Sequence, residues 1–237
     1  MKSGSFFLII VLALIIYSCK EKEDIYPDWG TDVECQPAIQ FKDTVRLSDK
    51  SLEYIEFWKN QAIIYKNEDG EEMRFDNSSG INRSFFSGFI QEKCKGLFPN
   101  RFFVPMESTF CTYQGYYFNM NLSANVTLSP SLESFYVVDI NSAVISSSNF
   151  QQPFQLFVNL PTSFQGITEQ EYLNTNANIT PYVSLDSITF YGKKYFNVLK
   201  MNITWQNNAE MYISKEHGVL AFKDDKNVLW VWNRFIN

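Results

Sequence analysis

One histidine, four cysteines and five tryptophans are the side chains from which site chemistry has to be assembled in this 237-residue sequence. His217 is the only histidine, so a histidine dyad or triad would have to pass through it. It stands between Glu216 and Gly218 in a predicted turn, where it reads as a solvated side chain. No Gly-x-Ser-x-Gly surrounds a serine, and no glycine-rich phosphate loop occurs. No CxxC is present, so zinc-ligand and thioredoxin-like spacings are lacking, and neither a metal nor a cofactor is expected. Paired carboxylates for glycoside hydrolysis need no local motif, but nothing selects a pair, which leaves a hydrolase as the least supported class. Trp230 and Trp232 project from one side of a predicted strand, as a platform for stacking a sugar ring requires. Their neighbours Leu229 and Val231 support a core placement instead. Cys94 and Cys111, seventeen residues apart around an aromatic stretch, are the candidate disulfide, with Cys35 free or buried.

The fourth cysteine has a different setting. Phe6 to Ile16 is an uncharged apolar run of eleven residues behind Lys2. That length fits a signal-peptide core and falls short of the ~18–20 residues that span a bilayer. Ile16, Tyr17 and the small Ser18 before Cys19 resemble a lipobox. A thiol at a new N-terminus takes a diacylglyceryl group and the freed amine a third chain. At ~0.8 kcal/mol per buried CH₂, more than one acyl chain makes a stable anchor. The reading is a signal peptide over 1–18 and a lipidated Cys19, with membrane attachment through that lipid. The competing readings are an uncleaved N-terminal helix and a secreted protein in which Cys19 is incidental. Lys20-Glu21-Lys22-Glu23-Asp24 follow at once, and residues 19–38 read as a solvated tether.

Composition narrows the partners. Net charge is −6 and only five residues are arginine. With no basic patch, nucleic acid is not an expected partner. Apolar residues make up 45% and aromatics 17%, enough for a substantial core over 39–237, read as one domain.

The elements that must position any site are strands. Ala62–Lys66 and Glu72–Phe75 flank Asn67-Glu68-Asp69-Gly70-Glu71, a hairpin signal whose acidic tip reads as a solvated turn. Tyr116 to Leu128 alternates without a break, with Tyr116, Phe118, Met120, Leu122, Ala124, Val126 and Leu128 on the dry face. Thirteen such residues span roughly 43 Å at ~3.3 Å each, so the strand has to bend. Residues 76–112, rich in Phe and Gly, read as an irregular excursion whose aromatics either plug one end of the sheet or form a binding surface. Further strands are expected at 135–140, 154–160, 188–191, 195–205, 211–214, 218–223 and 228–232. Thr168-Glu169-Gln170-Glu171 carries the capping-box pattern of one short helix. The fold class is all-β, mainly antiparallel: a strongly curved sheet or partial barrel with one or two short helices.

Two C-terminal passages resemble one family. Leu185-Asp186-Ser187-Ile188-Thr189-Phe190-Tyr191-Gly192-Lys193-Lys194-Tyr195-Phe196-Asn197-Val198 is similar to a hairpin of uncharacterised Bacteroidota lipoproteins. Met211 to Phe222, with Lys215-Glu216-His217-Gly218 inside it, resembles a second passage near their C-termini. There the Gly fits a turn or bulge that a Cβ would obstruct. An acidic cluster behind the lipidated cysteine resembles the surface-export signal of the same group. Asp43-Thr44-Val45 and Asp186-Ser187-Ile188 resemble its O-glycosylation acceptor, which marks Thr44 and Ser187. The resemblance implies an outer-membrane or cell-surface lipoprotein with a curved antiparallel sheet and transfers no catalytic residue. Three classes stay open: a structural or interaction module, a binder of an apolar ligand or glycan, and an enzyme.

Overall fold

The structure is a computed structural model and describes residues 40–41, 43–92, 100–130, 135–148, 154–175, 180–203 and 209–237. The signal segment, Cys19, the tether and Cys35 lie outside them. Thirteen strands occur among the described residues: β1 (Gln40–Phe41), β2 (Ala62–Lys66), β3 (Glu72–Asn77), β4 (Asn82–Glu92), β5 (Asn100–Gly115), β6 (Phe118–Pro130), β7 (Phe135–Ser147), β8 (Gln155–Gln165), β9 (Tyr182–Phe190), β10 (Lys193–Ile203), β11 (Ala209–Ser214), β12 (Gly218–Lys223) and β13 (Leu229–Ile236). Helices α1 (Asp49–Leu52) and α2 (Glu169–Thr175) and a 3-10 turn at Glu56–Lys59 complete them.

All strands join one sheet in the order β8-β7-β6-β5-β3-β2-β13-β12-β11-β10-β9, with β1 and β4 added beside β5. Neighbours along that path are antiparallel. The sheet is a strongly curled half-barrel, and β8 at one end reaches β10 and β11 near the other. The sixteen-residue β5 is its spine. One edge of β5 pairs with β3 and β4. The opposite edge pairs with β6 and, nearer its start, with β1 and Val45. The alternation along β6 holds: Phe118, Met120, Leu122, Ala124 and Val126 are buried. β13 lies between β12 and β2, in keeping with its apolar faces. Helix α2 begins at the expected capping box, where the Glu171 carboxylate accepts from Thr168 N and the Thr168 hydroxyl accepts from Glu171 N. On the outside of the sheet, Glu210 bridges Lys200 and Lys223.

One expectation needs correction. Residues 76–112 are largely regular, because β4 and β5 form a long hairpin. Phe85 and Phe86 are both exposed, so adjacent positions of β4 are aromatic and no period-two signal survives in the sequence. Among the described residues Cys111 is a free, buried thiol facing the Trp58 carbonyl; Cys94, its expected disulfide partner, lies outside them.

What fills the concave side is the segment 43–60. Val45, Leu47, Ile55, Phe57 and Trp58 are buried there. Its backbone is irregular, so its polar groups need partners away from water. The buried Glu107 carboxylate accepts from Leu47 N at 3.0 Å, and the buried Asp139 accepts from Ser48 N at 2.7 Å. Asn141 donates to the Ser51 hydroxyl, and Asn77 and Tyr113 donate to carbonyls of residues 57–60. Asp139 sits at a register shift between β7 and β8, which admits Pro161 without a ladder hydrogen bond. The ring of Phe57 fills the space beside Gly218: a Cβ on Gly218 would stand 1.9 Å from it, at a φ of +65°. The obstruction inferred from the sequence is therefore real.

Gly218→Ala is expected to destabilise the domain by about 2 kcal/mol or more, through overlap with Phe57 and a left-handed backbone. A urea midpoint equal to that of the parent would contradict this packing. Glu107→Leu should cost about 1–3 kcal/mol by orphaning Leu47 N, while Glu107→Gln keeps an acceptor and most of the stability. Equal losses in both variants would show that the hydrogen bond is not what holds the segment.

Candidate functional site

Hairpin register gathers three turns, β2–β3, β5–β6 and β12–β13, together with the end of β7, at one end of the strands. Between them lies a cleft of about 990 Å³, at the upper end of the range of small-molecule sites. Its aromatic wall is Tyr116, Tyr117, Phe118 and Trp230, and its carboxylates are Glu71, Glu72, Asp224 and Asp225.

Each wall has a local cause. Tyr113 pairs with Met120 and Gln114 with Asn119, so Tyr116 and Tyr117 form the tip of a tight hairpin. No strand neighbour covers them there, and they are 85% and 62% exposed. Their rings meet edge to face at 4.7 Å. Ser148 pins the tip, donating from its N–H to Tyr117 O and from its hydroxyl to Tyr116 O. Gly115 is required because the carbonyls of Phe118 and Arg74 would stand 2.8 and 3.1 Å from a Cβ. Beneath lies a core of edge-to-face rings: Phe118 meets Phe222 and Phe154, and Phe222 meets Tyr65 and Phe75. On the far wall, Asp224 organises the turn. One of its oxygens accepts from Lys226 N and Val228 N, and the other accepts from the Trp230 indole at 2.9 Å. Glu72 is gripped by both guanidinium nitrogens of Arg234, whose hydrogen bonds hold its carboxyl below the usual range. Glu71 accepts from the Asn67 side-chain amide. Rings for stacking and oxygens for accepting hydrogen bonds thus face a shared space.

Of the residues singled out in the sequence, only Trp230 lines this cleft. It is 8% exposed, with its indole committed to Asp224. Trp232 does not line the cleft. It packs against His217 and Phe235, with the Lys193 ammonium over its ring. The two tryptophans therefore form no joint exposed platform. His217 is in the expected turn but is not solvated. Its side chain is 15% exposed, between Trp232 and Tyr195, with Nδ1 3.1 Å from the Ser214 hydroxyl. The acidic β2–β3 turn is likewise partly built in, since Asn67 is buried and clasps Glu71 through both ends of its amide. No cluster of three or more metal-ligating side chains occurs among the described residues. Thr44 is exposed and Ser187 half-buried. Under the 43–60 segment, a cavity of about 30 Å³ has room for one water and none for a lipid chain.

Sequence reasoning placed Tyr116 on the dry face of the strand and Tyr117 on its wet face, and read Asp224 as a turn residue, without assigning any of the three to a site. The signal was available in part. Gly115 between two alternating runs marks the turn, and Asp224-Asp225-Lys226-Asn227 marks the other.

Burial holds the His217 imidazole below its ordinary pKa, with Lys193 acting in the same sense and Glu216 opposing. In the unfolded chain it takes up a proton near pH 6.5, before the folded chain does. Stability from this site is therefore complete above about pH 6.5 and declines as pH falls below it. The His217 ring signals are expected to titrate below that value by NMR, and His217→Phe should flatten the fall in urea midpoint between about pH 7 and 5. A midpoint at or above the value of a free histidine would contradict this burial.

The chain matches no family model, no curated protein and no solved structure, so its function is read from the chemistry of the cleft.

Proposed function

We propose that this chain is a lipid-anchored cell-envelope protein, held by Cys19, whose curled β-sheet displays a glycan-binding cleft at its turn end. The observation that carries the binding reading is the exposed Tyr116–Tyr117 pair beside a cleft of about 990 Å³ that also holds four carboxylates. Pyranose rings offer apolar C–H faces that stack on aromatic rings, and hydroxyls that donate to carboxylates. The anchor reading is carried by the lipobox-like Ile16-Tyr17-Ser18-Cys19 and the charged run behind it. The acidic residues behind Cys19 support an outer-membrane site, with the cell surface favoured over the periplasmic face.

Two experiments test the halves separately. In the expressed full chain, radiolabelled palmitate should follow Cys19, and Cys19→Ala should release the protein from the membrane fraction. A Cys19→Ala chain that remains membrane-bound would contradict the anchor. The soluble form 20–237 should bind oligosaccharides on a glycan array, and Tyr116→Ala/Tyr117→Ala should weaken binding at least tenfold while the urea midpoint stays within about 0.5 kcal/mol of the parent, as expected of exposed positions. Undiminished binding by that variant would place the site elsewhere.

A further inference from the structure

The charge of the cleft narrows the glycan further, and this step rests on the glycan-binding reading above. Four carboxylates line the cleft against one ammonium, that of Lys226. The Arg234 guanidinium is engaged by Glu72. Ionised carboxylates accept hydrogen bonds and donate none. A ligand that fits must therefore bring donors, preferably positive ones, and an acidic sugar would meet like charge in a partly enclosed space where fields are focused. The rings act in the same sense. Tyr116 and Tyr117 line the cleft and are 85% and 62% exposed, and the negative face of an exposed aromatic ring attracts a cation.

The carboxylates differ in what they have left to give. Asp224 is committed to its own turn and to Trp230. Glu71 and Glu72 keep lone pairs beyond those used by Asn67, Asn233 and Arg234. Asp225 is exposed at the turn tip, with no ion pair or hydrogen bond recorded among the described residues. A neutral sugar hydroxyl gives each of these one donor, whereas an ammonium gives three donors and a full charge.

We infer that the cleft selects a glycan bearing free amines, a hexosamine rather than its N-acetylated or uronic counterparts, with Tyr116 and Tyr117 stacking the ring and Glu71, Glu72 and Asp225 receiving the ammonium. N-Acetylation removes the charge and leaves the ring face intact, so it separates the two contributions.

Calorimetric titration of the soluble form 20–237 with three tetramers, of β-1,4-linked glucosamine, of N-acetylglucosamine and of galacturonate, tests this. The glucosamine tetramer should bind at least tenfold more tightly than the N-acetylated one, and the galacturonate tetramer most weakly. Added salt should erode the glucosamine preference. Asp225→Asn, which removes the charge at an exposed turn position and keeps an oxygen that accepts from a hydroxyl, should weaken the glucosamine tetramer about tenfold and the N-acetylated one by a smaller factor. Equal or tighter binding of the N-acetylated tetramer, lost in Tyr116→Ala/Tyr117→Ala, would overturn the amine preference and leave the cleft a glycan site. Tighter binding of the galacturonate tetramer would overturn it as well. Failure of all three tetramers to bind would overturn both the preference and the glycan reading beneath it.

Discussion

Irregular backbone packed inside a curled sheet must find hydrogen-bond partners away from water, and Glu107 and Asp139 supply them. Their carboxylates receive the N–H groups of Leu47 and Ser48 at the point where the 43–60 segment turns into the concave side. Buried carboxylates are costly unless they are well partnered, and these two are met by N–H donors from a segment that arrives from sixty and more residues away. That segment brings Ile55, Phe57 and Trp58 into the interior. The curl of the sheet and the path of the segment thus depend on one another. A flat sheet would leave these apolar side chains in water, and an empty curled sheet would leave its concave face unpacked.

With one part of the concave side filled in this way, the open concavity lies toward the opposite strand ends. The edge-to-face rings of Tyr65, Phe75, Phe118 and Phe222 separate the two regions. They serve as core below and as cleft floor above, since Phe118 belongs to both. The cleft can therefore present exposed tyrosines and carboxylate oxygens on short turns without weakening the sheet that carries them. Binding residues on tight turns above a rigid scaffold are a common arrangement, because the scaffold fixes their positions and the turns are free to vary.

Much of the fold was legible because its strands obey period two where one face is wet. β6 is the clearest case, and the β2–β3, β9–β10 and β12–β13 hairpins announce themselves by their turn residues. The docking of the 43–60 segment was not legible, although its helical turns at Asp49–Leu52 and Glu56–Lys59 are local. That docking is tertiary, set by Glu107, Asp139 and Asn141 from distant strands, and nothing local encodes it. β4 was hidden because it is aromatic on adjacent positions. The cleft was half legible. Trp230 was selected for stacking with Trp232, but the indole of Trp230 turns to Asp224 while Trp232 packs against His217 and Phe235. Tyr116 and Tyr117 were read as strand, and only the pairing of Gln114 with Asn119 shows them to be a hairpin tip. Gly218 is the reverse case: a turn glycine inferred from its passage proved to be where Phe57 fits.

The most direct measurement on the cleft is chemical-shift mapping of the ¹⁵N-labelled soluble form 20–237 as a glucosamine tetramer is added. Saturable shifts concentrated at Glu71–Glu72, Gly115–Phe118 and Asp224–Trp230, with the Trp230 indole N–H among them, are the predicted result. Shifts that are absent, or that gather around Trp232 and the β9–β10 hairpin instead, would contradict it.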